Sequence, residues 1–526
     1  MERKQLEIMA PAGNFECLRA AIQGGADSVY FGVGNLNMRS RSASNFAPSD
    51  LSEVVRICRE AGVRSYLTLN IILYQEDLQP MREAMDAALA AGVDAVIASD
   101  VAALEYARSI GLEVHASTQL NISNVEALRF YSRWADVVVL ARELSLDQVR
   151  EIYEAVSREN ICGPSGGQVR LEMFAHGALC MAVSGKCYLS LHAYGASANR
   201  GACMQLCRRG YGVTDLETGY ELNVDNKYIM SPKDLCTIEF LDKMAESGVR
   251  VFKIEGRARS AEYVGRCARC YRAAADAVCD GTYTPGLAAS LKKSLAEVFN
   301  RGFWDGYYQG ARLGEWSSVY GSQATRRKVY LGKVTNWFDR IGVAEISVET
   351  TDLHAGDSLM IIGATSGVTE FEATDIRLDF EPCALAPKGS RCSVAIPAGA
   401  GAAGSAAAAG LGGSSPSAGS TASVGSGGSS PSVGYAAAAG LEGSSPSAGS
   451  TAAAGSGGSS PSAGSTAAAG LGGSSPFAGS TAAVGSGGSS PSVGYAAAAG
   501  SGGSSPAGRS GQHVRRGDKV FLWVEA

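Results

Sequence analysis

Eight short apolar runs alternate with longer amphipathic stretches from residue 5 to about 280, and this alternation limits the fold more than any other feature. The runs lie at 6–10, 28–33, 64–70, 95–99, 113–119, 137–140, 171–175 and 251–255. They are rich in β-branched and apolar residues, as strands buried on both faces must be. Helical periodicity fills the gaps at 15–23, 51–61, 78–91, 101–109 and 146–157. Asn14, Ser49, Asp100 and Ser145 stand where helix N-caps belong, and Gly24, Gly62, Gly92 and Gly111 stand near helix ends. Such alternation builds either a (β/α)8 barrel or a doubly wound open sheet. The count of eight favours the barrel, as do the polar residues at the C-terminal ends of the strands. Asn70, Asp100, Thr118, Gln119, Arg142, Glu143, His176, Glu255 and Arg257 would then share one mouth.

The seventh and eighth strands are about 75 residues apart, too far for a simple connection. A cysteine-rich insertion over about 177–236 fills the distance. Residues 263–279 and 287–300 read as further helices. Beyond Arg327 the pattern changes to short alternating segments at 329–334, 342–348, 358–362, 369–378, 392–396 and 519–524. These read as antiparallel strands of a small β-barrel. The expected fold class is α/β: a TIM-like barrel over 1–285, a helical connector over 286–326, and a C-terminal β-barrel domain over 327–396 plus 511–526. Between the last two pieces, Gly-Ser-Ser-Pro recurs with Pro at 416, 431, 446, 461, 476, 491 and 506, a period of 15. This stretch, 397–510, has almost no charge and no regular apolar face. It therefore reads as a disordered insertion in the β domain in preference to a stacked solenoid.

No secretory signal opens the chain and no window holds about 18 apolar residues, so a cytoplasmic protein without a membrane span is expected. The chain has 13 cysteines, an odd number. In a reducing compartment, clustered cysteines serve as metal ligands or catalytic groups more often than as disulfides. Cys180, Cys187, Cys203 and Cys207 fall within 28 residues as C-x6-C-x15-C-x3-C, in a segment rich in Gly, Ser and Ala. Irregular backbone lets such thiolates converge on an iron–sulfur cluster. A structural zinc site is a second reading, although only Cys203 and Cys207 resemble the short hook that zinc sites use. Unligated buried thiols are the third. Cys236 is an alternative fourth ligand. Cys267 and Cys270 form C-x2-C within a helical pattern, and they read as core, as do Cys17 and Cys58.

His176, at the end of the seventh strand, is the best candidate for acid–base chemistry, with Glu172 in the same strand; a structural histidine is the alternative. Arg257, near Glu255 after the eighth strand, suits a carboxylate or phosphate clamp, unless the two form an ion pair. Basic groups at Arg208, Arg209, Lys292, Lys293 and 326–328 lie among Tyr211, Trp304, Tyr307 and Tyr308. Basic and aromatic groups together suit RNA, though each cluster alone also suits a solvated surface. The net charge of −5 gives no general attraction to nucleic acid. No H-E-x-x-H, G-x-S-x-G or P-loop motif is present, which argues against a zincin protease, an α/β-hydrolase and a P-loop nucleotide enzyme.

The stretch from Glu172-Met173-Phe174-Ala175-His176-Gly177-Ala178-Leu179-Cys180 to Ser184-Gly185-Lys186-Cys187-Tyr188 closely resembles the signature of the U32 peptidase family, the collagenase-like proteases. Ala10-Pro11-Ala12-Gly13, Arg200-Gly201-Ala202-Cys203 and Lys253-Ile254-Glu255-Gly256-Arg257 fit it too. The resemblance spans roughly residues 5–396 and the last strand. Within the family, a β-barrel domain after the catalytic domain is most similar to the tRNA hydroxylation protein P type. The resemblance implies a [4Fe-4S] cluster on Cys180, Cys187, Cys203 and Cys207, with Cys236 as the alternative fourth ligand. It implies oxygen-independent hydroxylation of RNA, with tRNA (or rRNA) as partner and prephenate, a small carboxylate metabolite, as co-substrate. 5-Hydroxyuridine in tRNA is the expected product. A peptidase, as in the family's historical name, and a non-catalytic RNA-binding accessory protein are the alternatives. The repeat stretch departs from the family pattern.

Overall fold

The computed structural model describes residues 2–219, 221–222, 228, 230–310, 314–319, 321–397, 400 and 514–526. The repeat stretch expected to be disordered, 397–510, lies outside the described residues apart from Pro397 and Ala400.

Parallel pairing runs unbroken through β1 (Glu7–Ala12), β2 (Ser28–Phe31), β3 (Arg64–Leu69), β4 (Ala95–Ala98), β5 (Glu113–Ala116), β6 (Val137–Val139) and β7 (Arg170–Ala178). Three short strands, β8 (Val213–Thr214), β9 (Glu221–Leu222) and β10 (Asp234–Cys236), precede the eighth barrel strand, β11 (Val249–Ile254). β11 pairs in parallel with both β7 and β1, which closes the ring and excludes the open sheet. β10 runs antiparallel along the tip of β7 and carries β12 (Phe303–Trp304) on its other side.

Helices α1 (Phe15–Gln23), α2 (Leu51–Glu60), α3 (Leu78–Ala91), α4 (Val101–Ser109), α5 (Val125–Tyr131) and α6 (Leu146–Glu159) alternate with the first seven strands. α7 (Leu189–Tyr194) lies in the insertion, α8 (Leu241–Glu246) precedes β11, and α9 (Ala261–Asp280) and α10 (Pro285–Ala296) follow it. Asn14, Asp100 and Ser145 cap their helices, accepting from the amides of Cys17, Ala102 and Gln148 at 2.9, 3.0 and 3.3 Å. Each such cap stabilises by about 1 kcal/mol. Ser49 does not cap. Pro48 opens a 3-10 turn with its fixed φ, Ser49 falls inside it, and Asp50 precedes α2.

Side chains alternate along each strand, so every second residue fills the barrel. Met9, Tyr66, Ile97, Val137 and Val251 form an apolar cluster there. Charged pairs join the same strands nearer their N-terminal ends: Glu7 with Arg170 at 2.8 Å and Arg64 with Glu113 at 2.6 Å. The pairing of β7 with β11 slips at two points, once at Arg250 of β11 and once at Ala175 of β7. Lys253 faces Phe174, yet Ile254 faces His176, which leaves Ala175 as an extra residue in β7. An extra residue inverts the face that later side chains take. His176 therefore turns out of the barrel and packs among Tyr263, Tyr271 and Phe303, with ring centroids 5.9, 5.5 and 5.8 Å away.

After the helices the chain forms β13 (Arg326–Phe338), β14 (Val343–Val348), β15 (Leu353–His354), β16 (Ser358–Gly363), β17 (Gly367–Glu372), β18 (Ile376–Leu378), β19 (Glu381–Cys383), β20 (Leu385–Ala386), β21 (Arg391–Ala395) and β22 (Lys519–Glu525). Eight of these make one antiparallel sheet in the order β17-β16-β22-β13-β14-β21-β18-β19, while β15 pairs with β20. The single strand expected over 369–378 is two, β17 and β18, because the chain turns at Ala373 to meet Asp357. Leu331, Ile346, Leu359, Val394 and Val520 are buried in this sheet's own core. Gln23 of α1 ties the sheet to the barrel, donating to Ser366 O at 2.7 Å and accepting from the Val368 amide at 3.0 Å. Among the described residues no helix is long and apolar enough to cross a membrane.

Candidate functional site

A cavity of about 370 Å³ opens at the C-terminal ends of the barrel strands. Thr68, Asn70, Ile97, Gln119, Arg142, Phe174, Lys253 and Glu255 line its barrel side. The insertion supplies the other wall. The chain leaves β7 at Ala178, turns at residues 183–186, forms α7, and returns through two 3-10 turns at Ala198–Arg200 and Leu206–Arg208. Cys180, Cys187, Cys203 and Cys207 all line the cavity from this wall, and none is in a disulfide. Burial raises the Cys207 thiol's pKa, Arg208 opposes that, and the charges of Cys180, Cys203 and Cys187 add to the rise. The four sulfurs are thus near enough to feel one another. Yet among the described residues no three His, Cys, Asp or Glu side chains are grouped closely enough to hold a single metal ion.

The walls are strongly cationic: seven Lys and Arg side chains and one carboxylate, Glu255, line the cavity. Three of the cations are neutralised. Arg39 pairs with Glu255 at 2.7 Å, Lys253 with Glu172 at 2.6 Å and Arg301 with Asp234 at 3.1 Å. Arg142, Arg208, Arg257 and Arg259 have no carboxylate partner among the described residues. Arg257 is buried, with Nη1 donating to Asn37 Oδ1 and Thr68 Oγ1, each at 3.0 Å. Burial pushes its pKa down to about 10. Gly32 makes room for it, since a Cβ there would lie 2.4 Å from Arg257 Nη1. The Arg142 guanidinium stacks 3.8 Å from the Phe174 ring centroid, with its Nε buried and unpartnered. Burial would raise the Glu255 carboxyl, but Arg39 and Arg142 outweigh it and hold the pKa at about 2. Arg208 fastens the insertion, donating to Leu179 O, Ser231 Oγ and Pro232 O.

Asn70, Thr118, Gln119, Arg142, Glu255 and Arg257 meet at the mouth as expected, whereas Asp100, Glu143 and His176 do not line it. Asp100 is spent on capping α4. His176 is enclosed, and burial drives its pKa down to about 3, with Arg259 adding to the effect. It is a neutral packing residue and touches no part of the cavity. Glu172 faces the barrel interior below the mouth. Burial alone would raise its pKa, but Lys253 beside it and the His115 contact at 3.2 Å hold it at about 2. It is a structural ion-pair partner. Cys236 sits on β10 opposite His176, enclosed beside Tyr271 and outside the cavity, and burial lifts its thiol to about 11. Of the two candidates for a fourth thiol, the structure brings Cys207 to the other three.

The basic and aromatic residues singled out from the sequence do not form one surface. Trp304 and Tyr308 are buried, Lys292 pairs with Glu239, Lys328 with Glu262, and Arg326 covers Trp523. Arg208 lines the cavity, Arg209 next to it donates to the Tyr194 hydroxyl, and Tyr211 donates to the carbonyl of Leu206 in the wall. Arg39 was missed: it lies in the loop after β2, where neither periodicity nor motif marks it.

The chain is similar in sequence to several known proteins. A collagenase from Porphyromonas gingivalis W83 is 59% identical over 396 residues, covering 75% of this chain and 96% of that protein. The tRNA hydroxylation protein P1 of Bacillus subtilis is 34% identical over 342 residues, covering 64% of this chain and 78% of that protein. The 23S rRNA 5-hydroxycytidine C2501 synthase of Escherichia coli is 36% identical over 321 residues, covering 59% of this chain and 46% of that protein. The description "Peptidase family U32" matches residues 13–318, which hold most of the barrel, the whole cysteine segment and the cation-lined cavity. On these grounds the chain belongs to peptidase family U32.

Proposed function

We propose that this chain is an iron–sulfur enzyme of RNA modification that hydroxylates a tRNA uridine to 5-hydroxyuridine without molecular oxygen. The observation that carries the reading is the meeting of four reduced thiols with four unneutralised guanidiniums on one cavity at a barrel mouth. The donor set fits a [4Fe-4S] cluster on Cys180, Cys187, Cys203 and Cys207. A cluster of several irons spaces its thiolates more widely than one tetrahedral zinc does, in keeping with sulfurs that share a wall without grouping around one point. Four thiolates also carry negative charge that the surrounding arginines offset. When bound, the cluster supplies redox or Lewis-acid chemistry for moving oxygen from a donor metabolite.

The chain's own residues bind and orient. Arg257, fixed by Asn37 and Thr68, presents its guanidinium to a carboxylate, for which prephenate is the proposed source. Arg142, held flat on Phe174, is a second donor on the same wall. Arg39 neutralises Glu255, so the one carboxylate of the cavity does not repel an anionic ligand. The relatives named for tRNA and rRNA hydroxylation support an RNA substrate. Nucleoside mass spectrometry of tRNA and rRNA from cells with and without the gene tests the reading. Loss of 5-hydroxyuridine from tRNA is expected, and unchanged hydroxylated nucleosides would overturn it.

A peptidase is the second reading, favoured by the collagenase-named relative. No histidine lines the described cavity, so a Cys–His pair has no base there. Peptide cleavage by homogeneous protein that persists in Cys180→Ala and vanishes in Arg257→Met would support this reading over hydroxylation.

A further inference from the structure

The rim of the cavity carries a surface that the chemistry above does not use. Residues 180–214 contain no Asp or Glu and include Lys186 and Arg209 on the rim, besides Arg208 of the cavity and Arg200, which pairs with Asp77 of a neighbouring loop. In the same stretch Tyr188 is 74% exposed and Tyr194 53%, and Met181, Leu189 and Met204 are exposed beside them. Met181 and Leu189 also line the cavity, so this apolar surface borders its opening. The Met204 amide donates to Ser190 Oγ at 2.9 Å, which places Met204 against α7. The next loop continues the surface: the Ile72 amide donates to Asn199 O at 3.1 Å, and the Arg200 guanidinium lies 4.0 Å from the ring centroid of exposed Tyr74. Arg209 donates to the Tyr194 hydroxyl at 2.9 Å.

Large apolar side chains concentrated around one opening mark a binding surface. Tyr188 and Tyr194, on a stretch with basic residues and no acid, suit a polyanion whose units carry flat faces, which is single-stranded nucleic acid, and Tyr74 adds a third face over the Arg200–Asp77 pair. A duplex keeps its base faces stacked internally and offers such tyrosines nothing. The cavity, about 370 Å³, is too small to admit a duplex, so a reacting base must leave its stack to enter. We infer that Tyr188, Tyr194 and Tyr74 stack the unpaired nucleotides flanking the one that enters the cavity. The inference rests on the RNA reading above and adds the strand state and the contact residues.

The test uses the full chain and a fluorescent oligoribonucleotide of about a dozen residues, single-stranded or annealed, with binding read by anisotropy. The single strand should bind more tightly than the duplex. Tyr188→Ala and Tyr194→Ala should each weaken it roughly 5- to 100-fold, and Tyr188→Phe and Tyr194→Phe should bind like the native protein. Phe130→Ala, an exposed aromatic on α5, should change nothing. Equal affinity for strand and duplex, or native affinity in the alanine variants, would overturn the inference. So would RNA binding that depends on salt alone while an acidic protein competes for the same surface. Hydroxylation in cells separates the two claims. Normal 5-hydroxyuridine with a Tyr188→Ala/Tyr194→Ala double variant sinks the rim and leaves the enzyme reading standing. Tyrosine-dependent binding with no hydroxylated nucleoside lost on gene deletion does the reverse.

Discussion

Lys253 Nζ lies 2.6 Å from Glu172 Oε1 inside the barrel, with His115 on the carboxylate's other oxygen at 3.2 Å. Both members of the pair are almost fully buried. Removing one leaves a buried charge unpaired, so Lys253→Met should cost about 3–5 kcal/mol. Lys253→Met/Glu172→Leu should recover most of that loss, because the packed apolar pair carries no desolvation penalty. Urea unfolding of the single and double variants checks this. A double variant no more stable than Lys253→Met would refute the pairing.

The titrating groups set opposing slopes in stability. Buried neutral His176, held at about 3 against an ordinary 6.5, gains its proton more readily when unfolded, so stability falls as pH drops below 6.5. Glu172 and Glu113, held at about 2 against 4.5, add a further loss as pH falls from 4.5 towards 2. His115 acts the other way. Burial would lower its pKa, but Glu113 and Glu172 raise it, so its contribution is present below 6.5 and fades as pH rises. The urea midpoint should therefore peak near pH 6.5, and His176→Phe should flatten the acid side between 6.5 and 4.5. A midpoint still rising steadily through pH 8 would contradict this assignment.

His176→Phe should also keep the enzyme working, because the ring packs against Tyr263, Tyr271 and Phe303 and its Nδ1 meets the Tyr271 hydroxyl at 3.4 Å, all outside the cavity. If His176 were the acid–base group, 5-hydroxyuridine in tRNA would disappear with this substitution while the protein stayed folded.

Anaerobically purified protein should be brown and carry roughly four irons per chain. Alanine at Cys180, Cys187, Cys203 or Cys207 should bring the iron content and the visible absorbance down, whereas Cys236→Ala should keep both. Stoichiometric zinc in a colourless protein, or iron lost only with Cys236, would break the assignment.

Arg257→Lys should behave as a loss, since a lysine nitrogen engaged by Asn37 and Thr68, as Nη1 is, leaves no second nitrogen for the donor's carboxylate. A charge-assisted contact contributes about 1.5–3 kcal/mol, so KM for the carboxylate donor should rise roughly 10- to 100-fold. Gly32→Ala should do the same by displacing Arg257 Nη1, which a Cβ would approach to 2.4 Å. Unchanged KM in both variants would remove Arg257 from the binding site.

Much of the barrel could be read from the sequence because its physical signals are local. Apolar runs mark strands, and Asn14, Asp100 and Ser145 announce helix starts through their own side chains. The six- and seven-residue helices α5, α7 and α8 escaped, since fewer than two turns show no clear period. Ser49 failed as a cap because the turn begun by Pro48 overrode it. At the site, Cys180, Cys187, Cys203 and Cys207 were legible as a cluster in the sequence and do share a wall. Arg39 was not, because its meaning comes only from Glu255, more than 200 residues away. The solvated surface proved the better account of Lys292 and Lys328, whose partners are likewise remote in sequence.

The extra residue at Ala175 has a consequence for how this barrel could change. Strand faces are assigned by parity, so the chemistry of the mouth depends on how many residues precede it as well as on which they are. Inserting one residue between Ala175 and His176, with the bulge kept, would swing His176 from the helical layer into the opening, on the side of Arg142 and the thiols, without altering any other letter of the sequence. A histidine parked one step out of phase is thus a latent functional group, and insertion or deletion, more than substitution, is the route by which such a barrel would acquire or lose an acid–base residue.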